Sequence, residues 1–191
     1  MNIPEGSLVN LYYDIFEVDL GWIGVLASDK GLKRITLPQT SIEASDFLFG
    51  REVEWAILYP EHFENFKRKL ILYFQGVSVS FHDEAIDVGD ASPFSQAAWQ
   101  ACRSIPRGHT GTYGWIAIQL GKPQAARAVG QSMARNPLPI ITPCHRVISS
   151  DGSLRGFGGG SSQIGLKKKL IEMEMLAKEE TRADCMVTET S

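Results

Sequence analysis

The charges of this 191-residue chain are sorted by position, and that sorting constrains its organisation more than any other feature. Residues 1–91 carry 7 Lys/Arg against 15 Asp/Glu, and residues 92–171 carry 10 against the single acid Asp151. Residues 172–191 return to acid, with 2 against 6. An ordinary soluble surface intersperses both signs, so a long basic block with one acid reads as a face turned toward a polyanion. The sign changes across the acidic, Gly-containing residues 83–91, and Ser92-Pro93 follows as an N-cap and first helical residue. Two domains are expected, 1–91 and 92–177, followed by a mobile acidic tail at 178–191. A hydrophobic content of 43% is enough to fill their cores.

The first domain reads as α+β. Residues 12–18 and 22–27 are rich in aromatic and branched side chains, and Ser28-Asp29-Lys30-Gly31 reads as a hairpin turn into residues 32–37. A small antiparallel sheet results. Phe63, Phe66, Leu70 and Phe74 recur at helical spacing over 61–74, with Gly76 as a stop, so one helix packs on that sheet.

The second domain reads as mostly helical. Phe94, Ala98, Ala101, Cys102 and Ile105 share one helical face, which makes Cys102 a buried small hydrophobe. Helices at 113–120 and 124–134 around Gly121-Lys122-Pro123 make a helix-turn-helix. The second helix presents Ala125, Ala126, Arg127 and Gly130, small residues around one long cation. A base-reading helix in the major groove carries several hydrogen-bonding side chains, so this composition favours a minor-groove approach.

From 136 to 160 the chain is dense with prolines and glycines, and Cys144 lies in its middle beside His145. A thiol becomes a strong nucleophile when a base or a positive field draws off its proton, and Arg127, Arg146 and Arg155 are candidates for that field. Adjacency alone does not distinguish this arrangement from a structural cysteine beside a structural histidine. Three cysteines at wide spacing fit neither a disulfide framework nor a zinc site, and His62, His82 and His109 are scattered. No apolar run has membrane-spanning length and the N-terminus lacks secretory character, so a soluble cytoplasmic protein, or a nuclear one in a eukaryote, is expected.

The stretch Asn136-Pro137-Leu138-Pro139-Ile140-Ile141-Thr142-Pro143-Cys144-His145-Arg146-Val147-Ile148 resembles the active-site signature of the O6-alkylguanine-DNA alkyltransferases, also called methylated-DNA-protein-cysteine methyltransferases. The likeness extends through Thr112-Tyr113, Ala125-Ala126-Arg127-Ala128-Val129-Gly130 and Gly156-Phe157-Gly158-Gly159. It implies a ribonuclease H-like first domain with a structural role and a winged helix-turn-helix in the second. It also implies direct-reversal repair, in which an alkyl group passes irreversibly from O6 of guanine, and from O4 of thymine, to Cys144.

On the same resemblance, the damaged nucleotide is flipped from the duplex into a pocket. Arg127 then fills the vacated space, Tyr113 crowds the target phosphate, and Ala126, Gly130, Arg135 and Ser150 join the DNA contact. Met133, Pro139, Val147, Arg155, Phe157 and Gly158 correspond to the pocket. His145 corresponds to the group that deprotonates Cys144 through a water, and Asn136 to the brace of the active-site turn. The reaction needs no cofactor or metal, and the protein acts as a monomer on double-stranded DNA.

The acid that orients His145 is Glu174 or Glu172. On a helix from Leu166, residues Leu166, Leu170, Met173 and Ala177 share the apolar face, Glu174 borders it, and Glu172 lies opposite, four residues after Lys168. The spacing assigns Glu174, in the part a third group plays in nucleophilic triads. Two residues depart from the family pattern. Phe157 replaces a common tyrosine and lacks its hydroxyl, and Arg155 is large where small residues are usual, adding phosphate contact or restricting bulky adducts. The rival readings are a lesion sensor without transfer, whose relatives lack the acceptor cysteine, and a helix-turn-helix regulator.

Overall fold

A computed structural model describes residues 10–42, 50–158 and 163–188, with side chains through 176 in the last of these. Gly159, Gly160 and residues 189–191 lie outside the described part, as do the side chains of 177–188, Cys185 among them.

Strands β1 (Leu11–Val18), β2 (Gly21–Ser28) and β3 (Gly31–Ile35) form the expected antiparallel meander. A two-residue strand β4 (Ile57–Leu58) adds to β1 in parallel, giving the order β3-β2-β1-β4. The sheet is therefore mixed at one edge, where a two-residue pairing shows no periodicity in sequence. Strand β2 is central, and Ile23 through Ser28 are all buried, the signature of a strand covered on both faces. The turn into β3 relies on Gly31, whose φ of 138° suits glycine and whose Cβ, if present, would lie 2.5 Å from the Ala85 carbonyl oxygen.

Helix α1 (Glu64–Phe74) follows a 3-10 turn at Pro60–Phe63 and buries Phe66, Leu70, Tyr73 and Phe74. The connecting segment is tied back to the sheet by Leu32 N to Ala85 O and Asp87 N to Leu32 O, and by Ser28 Oγ to the Asp87 carboxylate at 2.6 Å. Helix α2 (Pro93–Arg103) begins where the sequence places it, with Ser92 Oγ accepting from Ser95 N at 3.2 Å. It buries Ala98, Trp99 and a fully enclosed Cys102.

The helix-turn-helix consists of α3 (Tyr113–Gln119), capped by Thr112, and α4 (Ala126–Ala134). Helix α4 starts two residues later than expected, because Lys122 to Ala125 close a turn through Ala125 N to Lys122 O. Ser95 Oγ and Ser132 Oγ lie 3.1 Å apart and Trp99 Nε1 donates to Ser132 O, which fastens α4 to α2. Beside them lies a short parallel pair, β5 (Gly111–Thr112) with β6 (Val147–Ile148). Helix α5 (Ile164–Thr188) closes the fold. Its backbone runs past residue 177, where the sequence reading ends the domain, through Ala, Lys and Glu residues of high helix propensity. Among the described residues, no helix is long and apolar enough to cross a membrane.

The two halves share one continuous core running from Phe16 and Leu70 to Met133 and Leu170. Ile35 N donates to Pro137 O at 2.9 Å, so β3 is hydrogen-bonded to the loop that leads to Cys144.

Candidate active site

Cys144 is held by its own backbone loop. Thr142 N donates to Leu138 O and Cys144 N to Thr142 O at 2.7 Å, folding residues 138–144 into consecutive tight turns. Ile140 adopts a φ of 75°, an uncommon left-handed conformation for a β-branched residue. Asn136 braces these turns: its amide nitrogen donates to Thr142 O at 2.9 Å and to Cys144 Sγ at 3.1 Å, while its amide oxygen accepts from Leu138 N at 3.0 Å. A half-buried amide with both donors engaged fixes the sulfur in place.

The turn Cys144–Arg146 then directs His145 inward, where it is fully buried. His145 Nε2 donates to Glu174 Oε1 at 3.0 Å, and Glu174 is itself 1% exposed. Glu172 is exposed and pairs with Lys168 at 3.7 Å, so the assignment of Glu174 from helical spacing agrees with the geometry. Arg146 clamps the same carboxylate, Nε to Oε2 and Nη2 to Oε1, each at 2.8 Å, and sends Nη1 to Ile105 O. Tyr73, from α1, donates its hydroxyl to Glu174 Oε1 at 2.7 Å. His145 Nδ1 is buried and bonded to no protein group.

Lys167 is the other polar group enclosed here. It is fully buried, with Nζ donating to Val147 O at 2.6 Å and Arg155 O at 3.2 Å, and lies 5.9 Å from the Tyr113 ring centroid. Burial pushes the Cys144 thiol above its ordinary value, opposed by the Asn136 hydrogen bond and the Lys167 charge. Burial lowers His145 below the usual histidine range despite its bond to Glu174. Burial alone would raise Glu174, but hydrogen bonds from His145 and Arg146 outweigh it and hold the carboxyl well below the ordinary range. The resting pair is therefore a protonated thiol and a neutral imidazole beside an ionised carboxylate.

A cavity of about 390 Å³ opens at Cys144, lined on one side by Met133, Ala134, Arg135, Asn136, Pro139 and Gly158. Its other wall comes from the first half of the chain, through Arg34, Thr36, Leu37 and Gln39. Three expected pocket residues do not line it. Val147 is enclosed in the core as β6 pairs with β5, and Phe157 packs edge-on to His145 with centroids 6.3 Å apart. Arg155 turns outward to Ser149 Oγ at 3.2 Å and Asp151 at 3.6 Å, so its side chain does not narrow the cavity.

Four of the expected DNA-contacting residues lie on α4 or at its C-cap. Arg127 and Arg135 are exposed at its two ends, Ala126 and Gly130 are half-buried, and Ser150 is exposed on the loop after β6. A Cβ on Gly130 would meet the Tyr113 ring at 3.9 Å, so α3 and α4 sit close at this point. The last turn of α4 supplies Met133, Ala134 and Arg135 to the cavity wall, about 9 Å along the axis from Arg127.

Tyr73, Lys167 and the β3 wall are absent from the sequence reading. Tyr73 sits in a run of core apolar residues, which gives no cue to its hydroxyl partner. Lys167 carried a usable signal: it stands seven residues before Glu174, on the same helical face, whereas Lys168 and Lys169 are exposed.

Residues 93–176 match the family model described as 6-O-methylguanine DNA methyltransferase, DNA binding domain, and residues 11–88 match that of its ribonuclease-like domain. The methylated-DNA–protein-cysteine methyltransferase of Methanosarcina barkeri is 38% identical over 169 residues, 86% of this chain and 97% of that protein. The constitutive enzyme of Bacillus subtilis is 34% identical over 174 residues, 88% and 98% of the two chains. The crystal structure of Mycobacterium tuberculosis O6-methylguanine methyltransferase superposes with a TM-score of 0.71 at 34% identity, covering 87% of this chain and 94% of that one. A structure of the same mycobacterial protein in complex with DNA matches equally well.

Proposed function

The chain belongs to the 6-O-methylguanine DNA methyltransferase family, and on that footing we propose that Cys144 is the acceptor that takes the alkyl group from O6 of guanine. The protein is a DNA-repair methyltransferase that moves an alkyl group to one of its own cysteines. The position of Cys144 directly before the buried His145–Glu174 pair supports the choice of Cys144, whereas the fully buried Cys102 has no base beside it in sequence.

Attack by Cys144 Sγ on the alkyl carbon forms a C–S bond and breaks the C–O6 bond, whose electron pair returns to guanine. The thiol proton must leave as the sulfur attacks. Neutral His145 accepts it on Nδ1 through a water, and Glu174 stabilises the imidazolium that forms. The proton then passes to the departing guanine, so charge balances. A thioether is a poor leaving group, so the sulfur is consumed and each molecule acts once.

The target base reaches this cavity by leaving the duplex. Helix α4 approaches through the minor groove, with Arg127 occupying the vacated stack and the exposed Arg135 near the backbone. One protein molecule suffices for the reaction.

The test is incubation with duplex DNA containing one O6-methylguanine, followed by peptide mass analysis. One added methyl on the Cys144 peptide, and none in Cys144→Ser, is the expected result. A methyl on Cys102, or no adduct on the wild type, overturns the assignment.

A further inference from the structure

The hydroxyl of Tyr73 is the only polar group of α1 that enters the site: Tyr73 is 1% exposed, 101 positions away from Glu174 in sequence, and bonded to it at 2.7 Å. Its oxygen also lies 3.4 Å from His145 Nε2. An ionised carboxylate only accepts, so the phenol proton points to Glu174 and the phenol oxygen keeps its lone pairs toward the imidazole. Burial and the Glu174 charge raise the Tyr73 hydroxyl well above its ordinary value, so it remains a donor at every working pH.

We infer that Tyr73 is a positioning residue for alkyl transfer, through which the first half of the chain sets the tautomer and the basicity of His145. This inference rests on the proposed roles of Cys144 and His145. With Glu174 Oε1 and the Tyr73 oxygen both facing Nε2, the ring proton stays on Nε2 and Nδ1 is the nitrogen left to act as base. The phenol bond also draws charge from Glu174 Oε1, which weakens the pull of that oxygen on the ring proton. Tyr73 thereby holds the imidazole less basic than Glu174 alone would make it.

Arg146 also donates to Glu174 Oε1, and Gly108 N to Oε2, but among the described residues the Tyr73 hydroxyl is the donor to Glu174 that also lies against His145 Nε2. Arg146 and Lys167 are fixed cations, Cys144 is the group to be deprotonated, and Phe157 presents only a ring edge. Arg107 lies over the Tyr73 ring at 5.2 Å and bonds Val77 O and Gly76 O, so it steadies the phenol without touching the imidazole.

The experiment is the pH dependence of single-turnover transfer from duplex O6-methylguanine, compared between wild type and Tyr73→Phe. Loss of the hydroxyl leaves the aromatic packing in place, with Phe74 and Phe81 edge-on to the ring. The acid-side midpoint should rise by about half to one pH unit, with the rate below it falling roughly three- to tenfold and the alkaline plateau little changed. Phe74→Leu weakens the same packing without touching Glu174 and should lower stability while leaving the midpoint where it is. Should Tyr73→Phe not fold, 3-fluorotyrosine at position 73 provides a stronger donor and should move the midpoint down. A midpoint that stays put, or moves opposite to these directions, overturns the role of Tyr73 while leaving Cys144 as acceptor. A wild type that forms no adduct removes both.

Discussion

Lys167 and Glu174 lie two turns apart on one face of α5 and grip the reacting segment at its two ends. Glu174 bonds His145 at 3.0 Å, and Lys167 bonds the Val147 carbonyl at 2.6 Å. One helix therefore fixes both the base and the strand that follows it, with a negative group at one position and a positive group at the other.

The Lys167 charge lowers the cost of forming a thiolate in a buried site. In Lys167→Met, the Cys144 thiol should titrate higher, and its reaction with iodoacetamide at neutral pH should slow about three- to tenfold. The measurement is the pH dependence of alkylation followed by intact mass. An unchanged profile would leave Lys167 with a purely structural role.

Asn136 meets the sulfur, a carbonyl and an amide at once. Asn136→Ala strands a buried carbonyl and amide at a cost of about 1–3 kcal/mol in chemical denaturation. Transfer should slow by at least roughly tenfold, since the loop bearing Cys144 loses its brace. Rapid-quench kinetics on protein shown to be folded separates the two effects.

Arg127 is exposed near the start of α4, at the helix end opposite Met133, Ala134 and Arg135, which line the cavity. Arg127→Ala should reduce repair in duplex DNA by roughly 10- to 100-fold, the scale of a lost contact that supports a flipped base. Transfer from a free O6-alkylguanine base should stay near the wild-type rate. Equal losses on both substrates would remove the place-holding role.

Acid should destabilise the fold through the same network. Glu174 is held below the ordinary carboxylate range when folded, so its contribution is present above its unfolded pKa of about 4.5 and is lost as pH falls below that value. His145 is lowered by burial, so the unfolded chain takes up its proton first and stability declines as pH drops below about 6.5. Both effects have the same sign. Thermal unfolding from pH 7 to about pH 3 should show a falling Tm, and the part of the fall below about pH 4.5 should be smaller in Glu174→Gln.

Much of the site was legible because its residues lie close in sequence or obey a period. Cys144, His145 and Asn136 fall in one punctuated stretch, and Glu174 was separable from Glu172 by the apolar face of α5. Residues 12–18, 22–27 and 32–37 followed from their types and turns, and the strands at 11–18, 21–28 and 31–35 depart from them by one or two residues at the ends. What escaped depends on contacts between distant segments. The Tyr73 bond to Glu174 and the wall formed by Arg34, Thr36, Leu37 and Gln39 exist only because β3 and α1 pack against the later loop. Arg155 differs in having a local cause: its pairing with Asp151 and Ser149, four and six residues away, turns its side chain from a cavity that its position in sequence adjoins.

The hydrogen bond from Ile35 N to Pro137 O joins β3 to the loop bearing Cys144. Its consequence concerns dissection of the chain. A fragment beginning at the charge boundary would retain the cysteine, the histidine and the carboxylate, yet would open the cavity along a whole side and expose apolar core. In the first half, the strip from Arg34 to Gln39 and the inner face of α1 answer to the chemistry, whereas the exposed outer edge around Trp55 and Ile57 is free to change without reaching the reacting sulfur.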